Sequence, residues 1–173
     1  IMSNINFLVF LRFLFIMISQ ILIFNNILIF GVSPNIYLIF LIIFPLNYNK
    51  SFMYLYMFIA GLILDLFSNT YGIITFSLLI SSFLKIYFLK FSFGHFDASK
   101  VRKTADYIRE TSLYQKITFL ILIFFTHQLI LYSLEAFSFE KFSWVVKKTV
   151  LSTIISIILS YIFILIFFNK NAR

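Results

Sequence analysis

Thr149 to Phe168 reads TVLSTIISIILSYIFILIFF, a run of twenty residues with no Asp, Glu, Lys or Arg. Lys147 and Lys148 stand immediately before it, and Lys170 and Arg173 follow it. About 20 apolar residues, at about 1.5 Å of rise each, cover the hydrocarbon core of a bilayer. A run of this length between basic residues is the pattern of a transmembrane helix.

The rest of the chain repeats that pattern. Of its 173 residues 62% are apolar and 12% charged, and the mean hydropathy is +1.02, so polar surface is too scarce to cover the apolar mass in water. The expected class is all-α, a polytopic integral membrane protein of one domain. Six transmembrane helices are expected over about 13–30, 36–48, 52–67, 72–90, 117–134 and 149–168, the second and third of them short. A re-entrant hairpin is the other reading of that short pair, but it would place Lys50, Asn47 and Asn49 in hydrocarbon. Arg12 interrupts the first apolar run and no small-residue cleavage site follows, so a retained first span is expected in place of a signal peptide.

Basic residues set the orientation. With both termini cytoplasmic, Arg12, Lys50, Lys85, Lys90, Lys100, Arg102, Lys103, Arg109, Lys116, Lys170 and Arg173 collect inside, against Lys141, Lys147 and Lys148 outside. Trp144 then falls in the outer interfacial belt. The cytoplasmic loop 91–115 carries Val101, Ala105, Ile108 and Ser112 at helical spacing behind Asp97, with basic residues on the other faces. That pattern reads as an interfacial helix on anionic lipid or a docking site for a cytoplasmic partner. The net charge of +8 says less, because the Phe, Ile and Lys richness fits base-composition drift.

Polar residues inside the spans need their own account. Asp65 lies in Gly61-Leu62-Ile63-Leu64-Asp65-Leu66-Phe67, about one turn from the outer end of span 3. An intramembrane carboxylate suggests function, yet here it is placed to serve the free N–H groups that open span 4 beyond Gly72. A partner contact and ion transport are the other readings, the last weakened by the lack of a second intramembrane acid. Ser152, Ser156 and Ser160 recur every four residues and share one face of the last span, as small residues do where helix backbones approach closely. That face is expected to pack within the chain, or else against another subunit. Ser77 and Ser81 make a shorter version in span 4, and Lys85 continues it, expected to snorkel to the cytoplasmic interface. His127 and Gln128 are expected to hydrogen-bond inside the bundle. The chain lacks cysteine, a phosphate-binding glycine loop, paired metal histidines and a nucleophile elbow, so no catalytic residue, metal site or cofactor is expected. Nor is a nucleic-acid partner.

Pro34-Asn35-Ile36, the short hydrophobic pair, Gly61-Leu62-Ile63-Leu64-Asp65-Leu66-Phe67-Ser68 and then Gly72-Ile73 together resemble the rod shape-determining protein MreD family. That family carries Gly-x-x-x-Asp followed by Gly in the same stretch, and Leu134 to Phe139 also resembles some members. The resemblance covers most of the chain in topology and far less in motif. It implies a non-enzymatic inner-membrane scaffold that binds the single-span protein MreC. Through MreC it would act with MreB, RodA and a transpeptidase in cell elongation and peptidoglycan insertion. It implies structural or partner-binding roles for Pro34, Gly61, Asp65 and Gly72. The alternative from another class is the substrate-binding subunit of an energy-coupling-factor vitamin transporter. Those subunits usually show an Ala-x-x-x-Ala face in span 1, and Phe13 to Gln20 has none.

Overall fold

The computed structural model describes residues 2–45, 49–94 and 112–167. Its helices, in chain order, are α1 (Met2–Leu22), α2 (Leu38–Ile43), α3 (Lys50–Ser68), α4 (Ile73–Phe93), α5 (Leu113–Ala136) and α6 (Phe142–Phe167). The described residues hold no strand, only one isolated bridge between Ile29 and Val32. All the helices but α2 are long and apolar enough to cross a membrane. The chain is an all-α, multi-pass membrane protein.

The helix ends follow local chemistry more closely than hydropathy. α1 runs straight through Arg12, a good helix former, and closes at Leu22 instead of Phe30, before a 3-10 turn at Phe24–Asn26. α3 starts early at Lys50 because the Asn49 side chain accepts the Ser51 N–H, and its 19 residues reach about 28 Å. α5 starts at Leu113 through a capping box in which Ser112 and Gln115 satisfy each other's backbone. Ser112 therefore belongs to a transmembrane helix and not to an interfacial one; the rest of that expected helix lies outside the described residues. α6 begins at Phe142, so Lys147 and Lys148 are helical residues and not flanks.

The segment expected as span 2 is the main departure. It forms a helix of only 6 residues, about 9 Å long. The chain nevertheless recrosses the bundle here. α1 and α3 end on the same side, since Leu22 and Phe67 line one cavity, so the stretch between them has to return through the bundle. It returns through the centre: Ile36 to Leu41 are at most 2% exposed. Non-helical backbone at membrane depth is tolerated where protein, not lipid, surrounds it. The wrapping follows chain order, α3 on α4, α4 on α5 and α5 on α6, with α1 against α2 and α3. Edge-on aromatic contacts close the packing around α2, with Phe40 5.2 Å from Phe13 and 5.8 Å from Tyr56 between ring centroids.

Candidate functional site

The turn between α3 and α4 is tight. Asn69, Tyr71 and Gly72 all have positive φ, a geometry that Asn and Gly adopt at least cost and that is strained at Tyr71. Such a turn leaves the first N–H groups of α4 without helical acceptors. Asp65, 6% exposed, supplies them from one turn back. Its Oδ1 accepts the N–H of Ile74 at 3.0 Å and its Oδ2 that of Thr75 at 2.9 Å. The hydroxyls of Thr70 and Thr75 donate to the same two oxygens. Every oxygen of the carboxylate is used within the joint, and its negative charge sits at the positive end of the α4 dipole.

Gly61 makes that arrangement reachable. A Cβ there would stand 2.4 Å from the Thr75 Cα, so α3 and α4 touch backbone to backbone one turn below Asp65. Gly72 works differently: a Cβ would meet nothing, but φ is +94°. The glycine serves conformation at one position and space at the other.

A second polar construction holds the broken crossing. Gln20 of α1, fully buried, takes both ends of the bend before α2: its Oε1 accepts the Ile36 N–H at 2.8 Å, and its Nε2 donates to Pro34 O at 3.0 Å. The same Nε2 donates to Asn25, whose amide reaches Ser68 at the end of α3. Asn35 donates from its backbone to Ser156 Oγ at 3.0 Å and from its side chain to Gln128 at 2.9 Å. Tyr37 meets His127 Nε2 at 3.3 Å. Pro34, Asn35 and Tyr37 thus form a hub touching α1, α5 and α6.

At the other end of α2 stands Lys85. The expectation that it snorkels to the interface is overturned. Lys85 is fully buried, and its Nζ donates to Leu41 O at 2.7 Å and Phe44 O at 3.0 Å, the carbonyls left over where α2 stops. Its neighbours on the same face, Ser77 and Ser81, are buried too and donate back to carbonyls of their own helix. The face points inward, so lipid is out of reach. Lys85 caps a helix C-terminus.

The serine face of α6 is covered by the chain itself, with Ser152, Ser156 and Ser160 all buried. They differ in chemistry. Ser156 accepts from Asn35 and Ser152 lies within reach of the Tyr132 side chain, whereas the hydroxyls of Ser160, Thr149 and Thr153 find no partner among the described residues. Gln128 Nε2 and His127 Nδ1 are unpartnered in the same sense.

Above the hub, on the side where α1 and α3 end, a cavity of about 730 Å³ opens between the helices. Asn35, Tyr37 and Tyr132 line it, all buried, together with Glu135, Trp144 and Lys148. Lys148 donates to Gly31 O across the cavity and lies 5.6 Å from the Trp144 ring. Sequence reasoning singled out Asp65, Gly61, Gly72 and Pro34, and the structure gathers them at this end of the bundle. It missed Gln20, whose signal was a lone amide in an apolar run, and it misplaced Lys85. The described residues contain no cluster of His, Cys, Asp and Glu that could hold a metal ion. No family model, curated protein or solved structure matches this chain.

Proposed function

We propose that this chain is a non-enzymatic scaffold in a bacterial inner membrane, part of the cell-elongation machinery that directs peptidoglycan insertion. It binds an MreC-like single-span protein, and through it MreB, RodA and a transpeptidase. Both termini are cytoplasmic. The observation that supports this reading is the use made of the Gly61, Asp65 and Gly72 pattern, on which the family resemblance rests. Each of these residues builds the α3–α4 joint, and the carboxylate spends both oxygens on it. An acid so engaged organises helices; it is poorly placed to relay protons. The basic bias that supports this orientation no longer counts the buried Lys85, and it still sets ten basic residues inside against three outside.

The test is purification from native membranes in mild detergent, with identification of what travels with the chain. A single-span protein with a large extracytoplasmic domain is the expected companion, retained when Lys170–Arg173 are deleted. Recovery of an ATP-hydrolysing module instead would replace the scaffold with the transporter subunit. Reporter fusions after Gly94 and after Phe142 should give opposite signals, and matching signals would sink the six-span topology and the orientation with it.

A further inference from the structure

We propose that the cavity above the Asn35 hub is a binding site for a zwitterion, a small group carrying a primary ammonium and an anion. The volume, about 730 Å³, lies in the range of small-molecule sites. The floor is built and rigid: Asn35 is held by Ser156 through its backbone and by Gln128 through its amide nitrogen. That leaves its side-chain carbonyl, which accepts nothing among the described residues, as the acceptor presented to the cavity. One wall is aromatic, with Tyr132 edge-on to Trp144 at 5.9 Å. The rim carries one charge of each sign, Glu135 from α5 and Lys148 from α6, and no ion pair joins them.

Two opposite charges facing one cavity without neutralising each other select a ligand that brings both complements. Glu135 and the Asn35 carbonyl receive an ammonium, and Lys148 receives a carboxylate or phosphate. A singly charged or neutral molecule leaves one of them unanswered. Two sources fit this chemistry, a free amino acid or short peptide, and the headgroup of phosphatidylethanolamine. The proposal does not rest on the partner proposed above, and partner capture can fail while the cavity binds.

Trp144 is the only tryptophan, so its fluorescence reports the cavity directly. The purified chain in phosphatidylglycerol nanodiscs is titrated with the common amino acids and trialanine, then with N-acetylated and C-amidated trialanine. The expected result is a saturable change in Trp144 emission with a raised unfolding midpoint. Each capped peptide should bind at least about tenfold more weakly, the scale of one lost charge-assisted contact. If the headgroup is the occupant, phosphatidylethanolamine nanodiscs alone show the shifted emission and free zwitterions add nothing. Glu135→Gln and Lys148→Gln should each weaken binding, and Lys148→Arg, which keeps the cation and the Gly31 contact, should retain it. No Trp144 response in either lipid, equal binding of capped and free peptides, or indifference to both charge removals overturns the proposal.

Discussion

Asp65 offers the sharpest test of how the bundle is held. From sequence alone, Asn is as good at a helix N-cap as Asp, and Asp65→Asn is expected to keep much of the function. The geometry demands more. One carboxylate oxygen faces the Ile74 N–H and the other faces the Thr75 N–H. An amide has one oxygen, so whichever way it turns, its NH₂ meets a backbone donor. One N–H is then orphaned at a cost of about 1–3 kcal/mol. Leu satisfies neither N–H, and two orphans bring the loss to about 2–6 kcal/mol, reduced where cavity water reaches Ile74. The displaced Thr70 and Thr75 hydroxyls can rotate to other acceptors and add little. The order of stability should be Asp, then Asn, then Leu, measured by unfolding in mixed micelles with increasing denaturing detergent. Thr75→Val removes one hydroxyl donor and keeps the N–H, so it should cost about 0.6 kcal/mol, the average for such bonds in membranes. Asn unfolding with wild-type stability would refute the two-oxygen argument. Normal folding of Asn and Leu with equal loss of partner binding would show that the charge itself is read by something else.

Lys85→Met keeps the length of the side chain but leaves the Leu41 and Phe44 carbonyls unpaired in the core. A loss of about 2–6 kcal/mol is expected in the same unfolding assay, from about 1–3 for each buried acceptor. Gly61→Ala drives a methyl into the Thr75 backbone and should cost about 1–3 kcal/mol, visible as reduced folded protein after membrane extraction; wild-type yield would mean the helices can part freely. The serines of α6 should separate: Ser156→Ala orphans the buried Asn35 N–H and costs about 1–3 kcal/mol, while Ser160→Ala removes a hydroxyl with no partner among the described residues and is near neutral. Equal effects at the two positions in detergent unfolding would mean the Asn35 contact contributes nothing.

The membrane class was legible because it depends on totals: apolar mass, charge scarcity and run length. The Asp65 joint was legible because it is local, a carboxylate within reach of the next helix start across a short turn. The short α2 was not. Hydropathy registers that residues 36–48 avoid water, but a segment avoids water equally when lipid surrounds it and when helices do. Ile36 to Leu41 are apolar because they fill the centre of the bundle. Lys85 failed for the same reason. Its position near one end of span 4 suggested an interface, yet its spacing from Ser77 and Ser81 put it on their face. Small residues mark faces that pack against helices. Taken together, those residues pointed inward, and the lysine could only follow them.

Asp65, Lys85 and Gln20 each serve a place where the backbone is interrupted, and their chemistry matches the kind of interruption. A helix start offers N–H groups at the positive end of a dipole, and α4 receives the anionic Asp65 there. A helix stop leaves carbonyls at the negative end, and α2 receives the cationic Lys85. A bend exposes both kinds of group at once, and the chain before α2 receives Gln20, a side chain that donates and accepts. Within hydrocarbon no solvent can take over these duties. A short α2 with loose ends would be untenable in lipid, so the broken crossing exists only because α1, α4, α5 and α6 bring its partners to it. The centre of this bundle and its shell therefore specify each other, and a loss at Gln20, Asn35 or Lys85 should loosen helices that those residues never touch.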